Sequence, residues 1–386
     1  MTMDPAENRI HSGTAERETS PAAVQSETRT VTAAQHRLSW PDWIRGAAMI
    51  GVISVHVSGV SGFPDNPLLL WLNSFVMAVF FFVSGNLMRN SRDCAAAVYA
   101  RRKAAAVLWP YLTFSACAVL FDIAVLKLQG GSITRDLVRL WLRCVFTLVG
   151  RGTLWFLPVF YFACVLAWMV RNRRIPAVLL FLAGLAVMAF MNEIFGATVA
   201  VVTGGGDGIG SDIYLVAVRS LAAAALILEG FWTGPLLDRL AVSKYSTPAA
   251  LLSFSVSLVI PVFYRMDFRT ARFGRYPVFL FVSAAAACIF LRRGAELAER
   301  LSVLTYFGKN SLILMATHLE WYIVHIVWGG VISVVGTAAT FGPGYLARHL
   351  AALMLVLMIE YSLCGLIGRW FGFLMYFPFR RKTIRE

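Results

Sequence analysis

The sequence predicts an all-α integral membrane protein, a polytopic bundle of about ten transmembrane helices with both termini cytoplasmic. Three observations carry this. Of 386 residues, 58% are hydrophobic and only 15% are charged, whereas a soluble protein carries about 25% charged residues. Mean hydropathy is +0.68, so lipid is the fitting solvent. Apolar stretches reaching the roughly 18-residue lower limit of a spanning helix recur along the chain. Strand-like alternation is absent, and backbone groups inside lipid must bond within their own segment, so the spans are helices and not a barrel. Secreted disulfide scaffolds, coiled coils and soluble Rossmann enzymes are excluded.

Residues 1–39 are polar, mixed in charge and rich in Ser, Thr and Ala. They read as a disordered cytoplasmic tail without the apolar core of a signal peptide. The transmembrane domain follows over 40–370, with spans at 43–63, 67–88, 104–126, 152–170, 176–195, 213–232, 247–264, 276–291, 310–336 and 345–368. Residues 371–386 form a basic cytoplasmic tail. The apolar piece from Leu137 to Val149 is short and carries Arg139 and Arg143, which suits an interfacial or re-entrant helix. Gly204 to Gly210 (GGGDGIG) lacks the Lys-Ser or Lys-Thr ending of a phosphate loop and reads as a flexible connection.

Lys and Arg counts orient the bundle. With the N-terminus inside, the inside connections and the C-terminal tail carry nineteen basic residues and the outside connections nine, which favours cytoplasmic termini. The nine outside charges fall in only two loops, 127–151 and 265–275. Either a span is misassigned, or these loops form a basic surface for an anionic sugar or lipid headgroup. The net charge of +14 is otherwise that of a membrane protein with basic flanks, and nucleic acid is not an expected partner. The six cysteines form no CxxC pair, so neither a zinc site nor a disulfide framework is indicated.

Ionisable residues inside spans carry the functional expectations, because each is costly there. In the first span, PDWIRGAAMIGVISVH, eleven steps of 100° separate Arg45 from His56, about 20° beyond three full turns. Both therefore share one stripe, about 16 Å apart along the axis. An Arg at a membrane mouth suits phosphate oxygens, and a buried neutral imidazole suits proton abstraction from a hydroxyl. The alternatives are an ordinary interfacial anchor and a helix-bridging hydrogen bond. In the ninth span His318 and His325 are seven apart and fall near one face, with Glu320 pointing elsewhere and Asn310 and Ser311 opening the helix as caps. No third ligand joins the two histidines, so no metal is expected. Arg219 and Glu229 lie about 80° apart on the sixth span and cannot pair along it. Each needs a partner elsewhere or a water-filled cavity, as do Asp122 and Glu360; Asp122 falls near a span end, where solvent would serve.

Five motifs in order carry a resemblance: PDWIRGAAMIGVISVH; FFFVSGNLM (Phe80 to Met88); the basic run before VLWPYL (Val107 to Leu112); GTLWFLPVFY (Gly152 to Tyr161); and FGKNSL followed by His318. From residue 40 to about 370 the chain resembles acyltransferase family 3, bacterial integral membrane enzymes that O-acylate cell-surface carbohydrates, and its FGKNSL segment is closest to the sugar O-acetylase branch. The resemblance implies an acyl-CoA donor on the cytoplasmic side and a saccharide acceptor. It makes the first-helix histidine, here His56, catalytic and the arginine, here Arg45, part of the donor site. The family commonly has Arg-x-x-Arg before the Pro of the third helix. Here Arg101, Arg102 and Lys103 precede Ala104, so the second basic position is alanine and the contact shifts to Lys103.

The expected function is a multi-pass O-acyltransferase of the bacterial plasma membrane. It would move an acyl group, in the first instance acetyl from acetyl-CoA, to a hydroxyl of a cell-surface or lipid-linked glycan. His56 is the general base; Arg45, Arg101, Arg102 and Lys103 hold the CoA phosphates. Trp155 and Phe156 line the site; Asn310, Ser311 and protonated His318 are candidate oxyanion donors, and no metal is required. Association of copies stays open. A secondary transporter or flippase of an envelope precursor would instead use Arg219, Glu229 and the histidines as a substrate or proton path. A scaffold subunit of an envelope assembly would use the basic loops for docking.

Overall fold

The computed structural model describes residues 40–63, 66–203, 208–274, 276–298, 300–338 and 340–376, with 191–203 described by backbone alone. The expected disordered tail, the start of the glycine-rich loop and most of the basic tail lie outside these residues. Helices follow one another as α1 (Trp40–Val60), α2 (Pro67–Asn73), α3 (Val76–Arg89), α4 (Ala96–Leu128), α5 (Arg135–Phe146), α6 (Phe156–Val170) and α7 (Arg174–Thr203). Then come α8 (Ile209–Ala241), α9 (Ser246–Phe263), α10 (Val278–Leu297), α11 (Ser302–Lys309), α12 (Ser311–Thr317), α13 (Ile323–Val335) and α14 (Pro343–Trp370). Among the described residues the only β-type pairing is an isolated bridge between Asp267 and Arg272.

Among the described residues, seven helical stretches are long and apolar enough to cross a membrane. They correspond to expected spans 43–63, 67–88, 104–126, 213–232, 247–264, 276–291 and 345–368. The other three fall on shorter apolar helices, Phe156–Val170, Arg174–Phe190 and Ile323–Val335. The outward faces agree with a lipid solvent: Leu251, Leu252, Val262 and Phe263 on α9 and Leu350, Met354 and Met358 on α14 are all exposed.

Two expectations are corrected. The stretch 67–88 is two helices, because Phe75 departs from helical geometry (φ −142°) and the Ser74 hydroxyl turns back to the Trp71 carbonyl at 2.7 Å. The stretch 310–336 is three pieces. Asn310 separates α11 from α12, and residues 318–322 separate α12 from α13. Tyr322 there is left-handed at φ 59°, and the Val324 N–H reaches over the break to the His318 carbonyl at 3.1 Å. A left-handed non-glycine residue persists only where its surroundings hold it. The Tyr322 hydroxyl donates to Asp122 Oδ1 at 2.9 Å, and the neighbouring Trp321 ring stacks on Phe121.

Without water to expel, helices in lipid associate through close packing of small residues. Here α1 packs along α11 and α3 along α8. A Cβ on Gly46 would collide with the Leu304 carbonyl, and one on Gly308 with the Asp42 carbonyl. Gly85 and Gly230 let α3 and α8 approach in the same way. The glycine of FGKNSL is thus the point where α11 touches α1 backbone to backbone, three residues from Arg45. Because α1 also packs on α3, α10, α13 and α14, its two ends are held in one frame.

Gly308→Ala is therefore expected to cost about 1–3 kcal/mol through overpacking, read as a lowered unfolding midpoint in detergent. Gly59→Ala, on the same α1 but with nothing within 4 Å of its Cβ, is expected to be neutral or slightly stabilising.

Candidate functional site

A cavity of about 220 Å³ opens beside His56. Its polar wall is His56 from α1, Asn73 from α2, Thr153 and Trp155 from the loop before α6, and Asp267 and Arg269 from the loop after α9. Val52, Val76, Met77 and Met315 supply the apolar wall. Behind His56 lies His318, fully buried, with the two ring centroids 5.1 Å apart and the planes at 46°. His318 Nδ1 is bonded to the Leu314 carbonyl oxygen. A carbonyl only accepts, so Nδ1 carries the proton. That leaves Nε2 as the ring's remaining position, buried and without a partner.

The break at 318–322 brings His318 to this place. Glu320 is buried, and its Oε1 accepts the Thr153 N–H at 2.7 Å. The Thr153 hydroxyl donates to the Met315 carbonyl at 2.6 Å. Glu320 fits only because Gly152, at φ +42°, has no Cβ; one would overlap the carboxylate. Arg151 is paired with Asp122, the same carboxylate that Tyr322 holds. Burial opposes the Arg151 charge, but the bond to Asp122 outweighs it and raises its pKa above the ordinary value. The GTLWF part of the fourth motif is therefore a latch: it ties the loop before α6 to the break and places Trp155 on the cavity.

The loop after α9 closes the other side. Phe268 is buried, 6.0 Å from Trp155 in a stacked arrangement and 5.3 Å from Phe81. Arg219, on α8 and almost wholly buried, bonds the Arg269 carbonyl and the Val149 carbonyl at 3.4 Å. Its guanidinium also lies 5.1 Å from the Trp155 ring. It thus joins both loops from below, and the partner that its place in the span demanded is a pair of backbone carbonyls. Glu229 is half-buried further along α8 and its Oε2 has no partner; the structure does not bring it to the histidines.

At the other end of α1, Arg45 pairs with Asp42 at 3.3 Å. Lys103 turns inward from α4 with its ammonium 4.3 Å over the Phe160 ring. Lys103 and Tyr99 bond the buried Cys164 thiol, with which Arg45 also interacts electrostatically. Arg45 and Lys103 thus both act on the surroundings of Cys164, whereas Arg101 and Arg102 are exposed on other faces of α4, as steps of 100° per residue require. Because α1 is unbroken, this basic end and His56 are about 16 Å apart along one helix.

Several site expectations change. His318 and His325 do not share a face: His325 belongs to α13, is exposed and faces Tyr322 at 5.8 Å. Asn310 does not cap α12; its amide donates back to the Tyr306 carbonyl at 2.9 Å. Asn310 and Ser311 lie a full α12 before His318, about 10 Å of helix rise, and do not line the cavity. Asp122 is ion-paired, not solvated. Glu360 is bonded to Thr317 Oγ1 at 2.8 Å. Of the basic loops, Arg143 is spent on Asp212, with Nε to Oδ2 at 2.7 Å, and Arg151 on Asp122. The residues missed are Asn73 and Thr153 as cavity wall and Glu320 as latch. The Gly-Thr pair preceding Leu-Trp was the one available signal, since a glycine there marks a tight backbone approach.

Arg219→Gln is expected to free the loop of 265–274 while leaving the bundle folded. Trypsin should then cut after Arg269 or Arg272 at least about tenfold faster, because two hydrogen bonds to a charged donor are lost; an unchanged cleavage rate would show that Arg219 does not hold the loop.

Residues 38–359 match the sequence model of a family described as acyltransferase domain, acyltransferase family 3. No curated protein matches the chain.

Proposed function

The chain belongs to acyltransferase family 3, and on that premise we propose that it moves an acyl group from acyl-CoA to a hydroxyl of a glycan. The single observation that carries this reading is the cavity beside His56, on the same helix as Arg45 about 16 Å away. That length suits a pantetheine arm. Arg45 and Lys103 bind the phosphates of CoA, and the arm extends along α1 toward His56. Acetyl is the acyl group proposed, from the likeness of the FGKNSL segment to sugar O-acetylases.

In the reaction, His56 takes the proton of the acceptor hydroxyl as its oxygen attacks the thioester carbonyl. The C–O bond forms, the carbonyl becomes an oxyanion, and the Asn73 amide is the neutral donor on the cavity wall that faces it. Collapse breaks the C–S bond, and His56 returns the proton to the leaving thiolate. His318 is a positioning residue: its ring, with Nδ1–H fixed on the Leu314 carbonyl, packs against the His56 ring and limits how that ring can turn. No external proton is consumed. We place the enzyme in a bacterial plasma membrane with both termini cytoplasmic, which the Lys and Arg asymmetry supports, so that the basic end faces the cytosolic pool of acyl-CoA.

Label from acetyl-CoA should enter the glycan or lipid-linked sugar fraction in membranes carrying the wild type and not in those carrying His56→Ala at equal abundance. Arg45→Ala should raise KM for acyl-CoA about tenfold or more with a smaller change in kcat, as loss of a phosphate contact requires. Transfer unaffected by His56→Ala would sink the mechanism.

A further inference from the structure

The histidine cavity contains a charge that the reaction above does not use. Among the described residues, the Arg269 guanidinium makes no hydrogen bond or ion pair, yet Arg269 lines the cavity and interacts electrostatically with His56. The acidic neighbour, Asp267, makes no ion pair with it among the described residues and bonds its own loop instead. Asp267 Oδ1 accepts the Arg269 N–H at 2.9 Å, and Oδ2 accepts the Thr270 hydroxyl at 2.8 Å. Arg219 fixes the Arg269 carbonyl from beneath, and buried Phe268 anchors the loop next to it. The backbone of Arg269 is thus held from two sides while its side chain is unspent. A guanidinium on a cavity wall, carried by a backbone held in place, is a fork for two oxygens of one anionic group.

We propose that the acceptor is an anionic saccharide, and that Arg269 holds its carboxylate or phosphate so that a hydroxyl faces His56. This rests on the acyl-transfer reading and names the substrate class of the same cavity. It also gives one of the two basic loops a use: of the cations in 265–274, Arg269 is the one on the cavity wall.

The test uses the full chain in lipid nanodiscs with acetyl-CoA and three acceptors: a neutral disaccharide, the same disaccharide with one sugar oxidised to a uronic acid, and the same disaccharide carrying a phosphate monoester. Wild-type kcat/KM should be at least about tenfold higher for one of the charged acceptors, and which one it is identifies the anion. Arg269→Gln should remove that preference, lowering kcat/KM for the charged acceptor at least about tenfold more than for the neutral one. Arg269→Lys should restore part of it, since charge is kept and the fork is lost. Arg272→Gln should behave as wild type. Equal use of neutral and charged acceptors by the wild type would overturn the proposal. So would an Arg269→Gln loss that is the same for all three, which would put the guanidinium on the oxyanion instead. Calorimetric binding of the three sugars separates this from the underlying reading. If no sugar is acylated but a charged one binds and Arg269→Gln abolishes that binding, the anion site stands and acyl transfer falls. If no charged sugar binds better than the neutral one, the anion site falls.

Discussion

A buried carboxylate that accepts a backbone N–H sets the geometry of the histidine end. Glu320 would be costly inside the bundle without partners, and it finds one in the amide of Thr153. The bond requires a residue without a Cβ at position 152 and a chain that stops being helical after Thr317. Both conditions are met, and their product is a site made from parts far apart in sequence. On one side of the bond the loop before α6 is held so that Trp155 faces the cavity. On the other side His318 lies behind His56. The Asp122 carboxylate supports the arrangement by binding Arg151 and Tyr322 together.

The other end of the site depends on packing, not on polar contacts. Arg45 and His56 keep their separation because α1 is a single helix clamped by α3 and α11 at glycine contacts. In lipid such close approaches replace the hydrophobic drive that would hold a soluble bundle. The rigid part of the molecule thus fixes two ends about 16 Å apart, while the loops after α5 and α9 shape what the histidine end can admit. Arg219 couples these loops to the frame, so that a charge buried in the membrane domain acts on the backbone of the site.

Much of this was legible from residue order. The helical class follows from composition alone, and the stripe joining Arg45 to His56 follows from the 3.6-residue period on an unbroken helix. Lys103 turns inward from α4 over the Phe160 ring, which the run of three basic residues alone did not single out. What could not be read was where a helix stops. Residues 310–336 are apolar throughout, and hydropathy does not register a break whose backbone groups are satisfied by the protein itself. The pairing of His318 with His325 failed for this reason, and so did the capping role of Asn310. Asn73 was invisible because it ends α2, just before the two-residue interruption that separates α2 from α3. Arg219 was seen to need a partner, but carbonyls of distant loops leave no trace in a local pattern.

The central claim is that the Glu320 latch, by placing His318 behind His56 and Trp155 on the cavity, makes the site competent for transfer. The most direct measurement is the steady-state rate of acyl transfer by Glu320→Ala and Glu320→Gln in bilayers at matched abundance. The latch predicts that alanine lowers kcat by about a hundredfold, the scale of an ångström-sized misplacement, with KM for acyl-CoA unchanged because the basic end is untouched. Glutamine, whose carbonyl oxygen still accepts the Thr153 N–H, should retain most of the rate. Full activity in the alanine variant, or equal loss in both, would contradict the account.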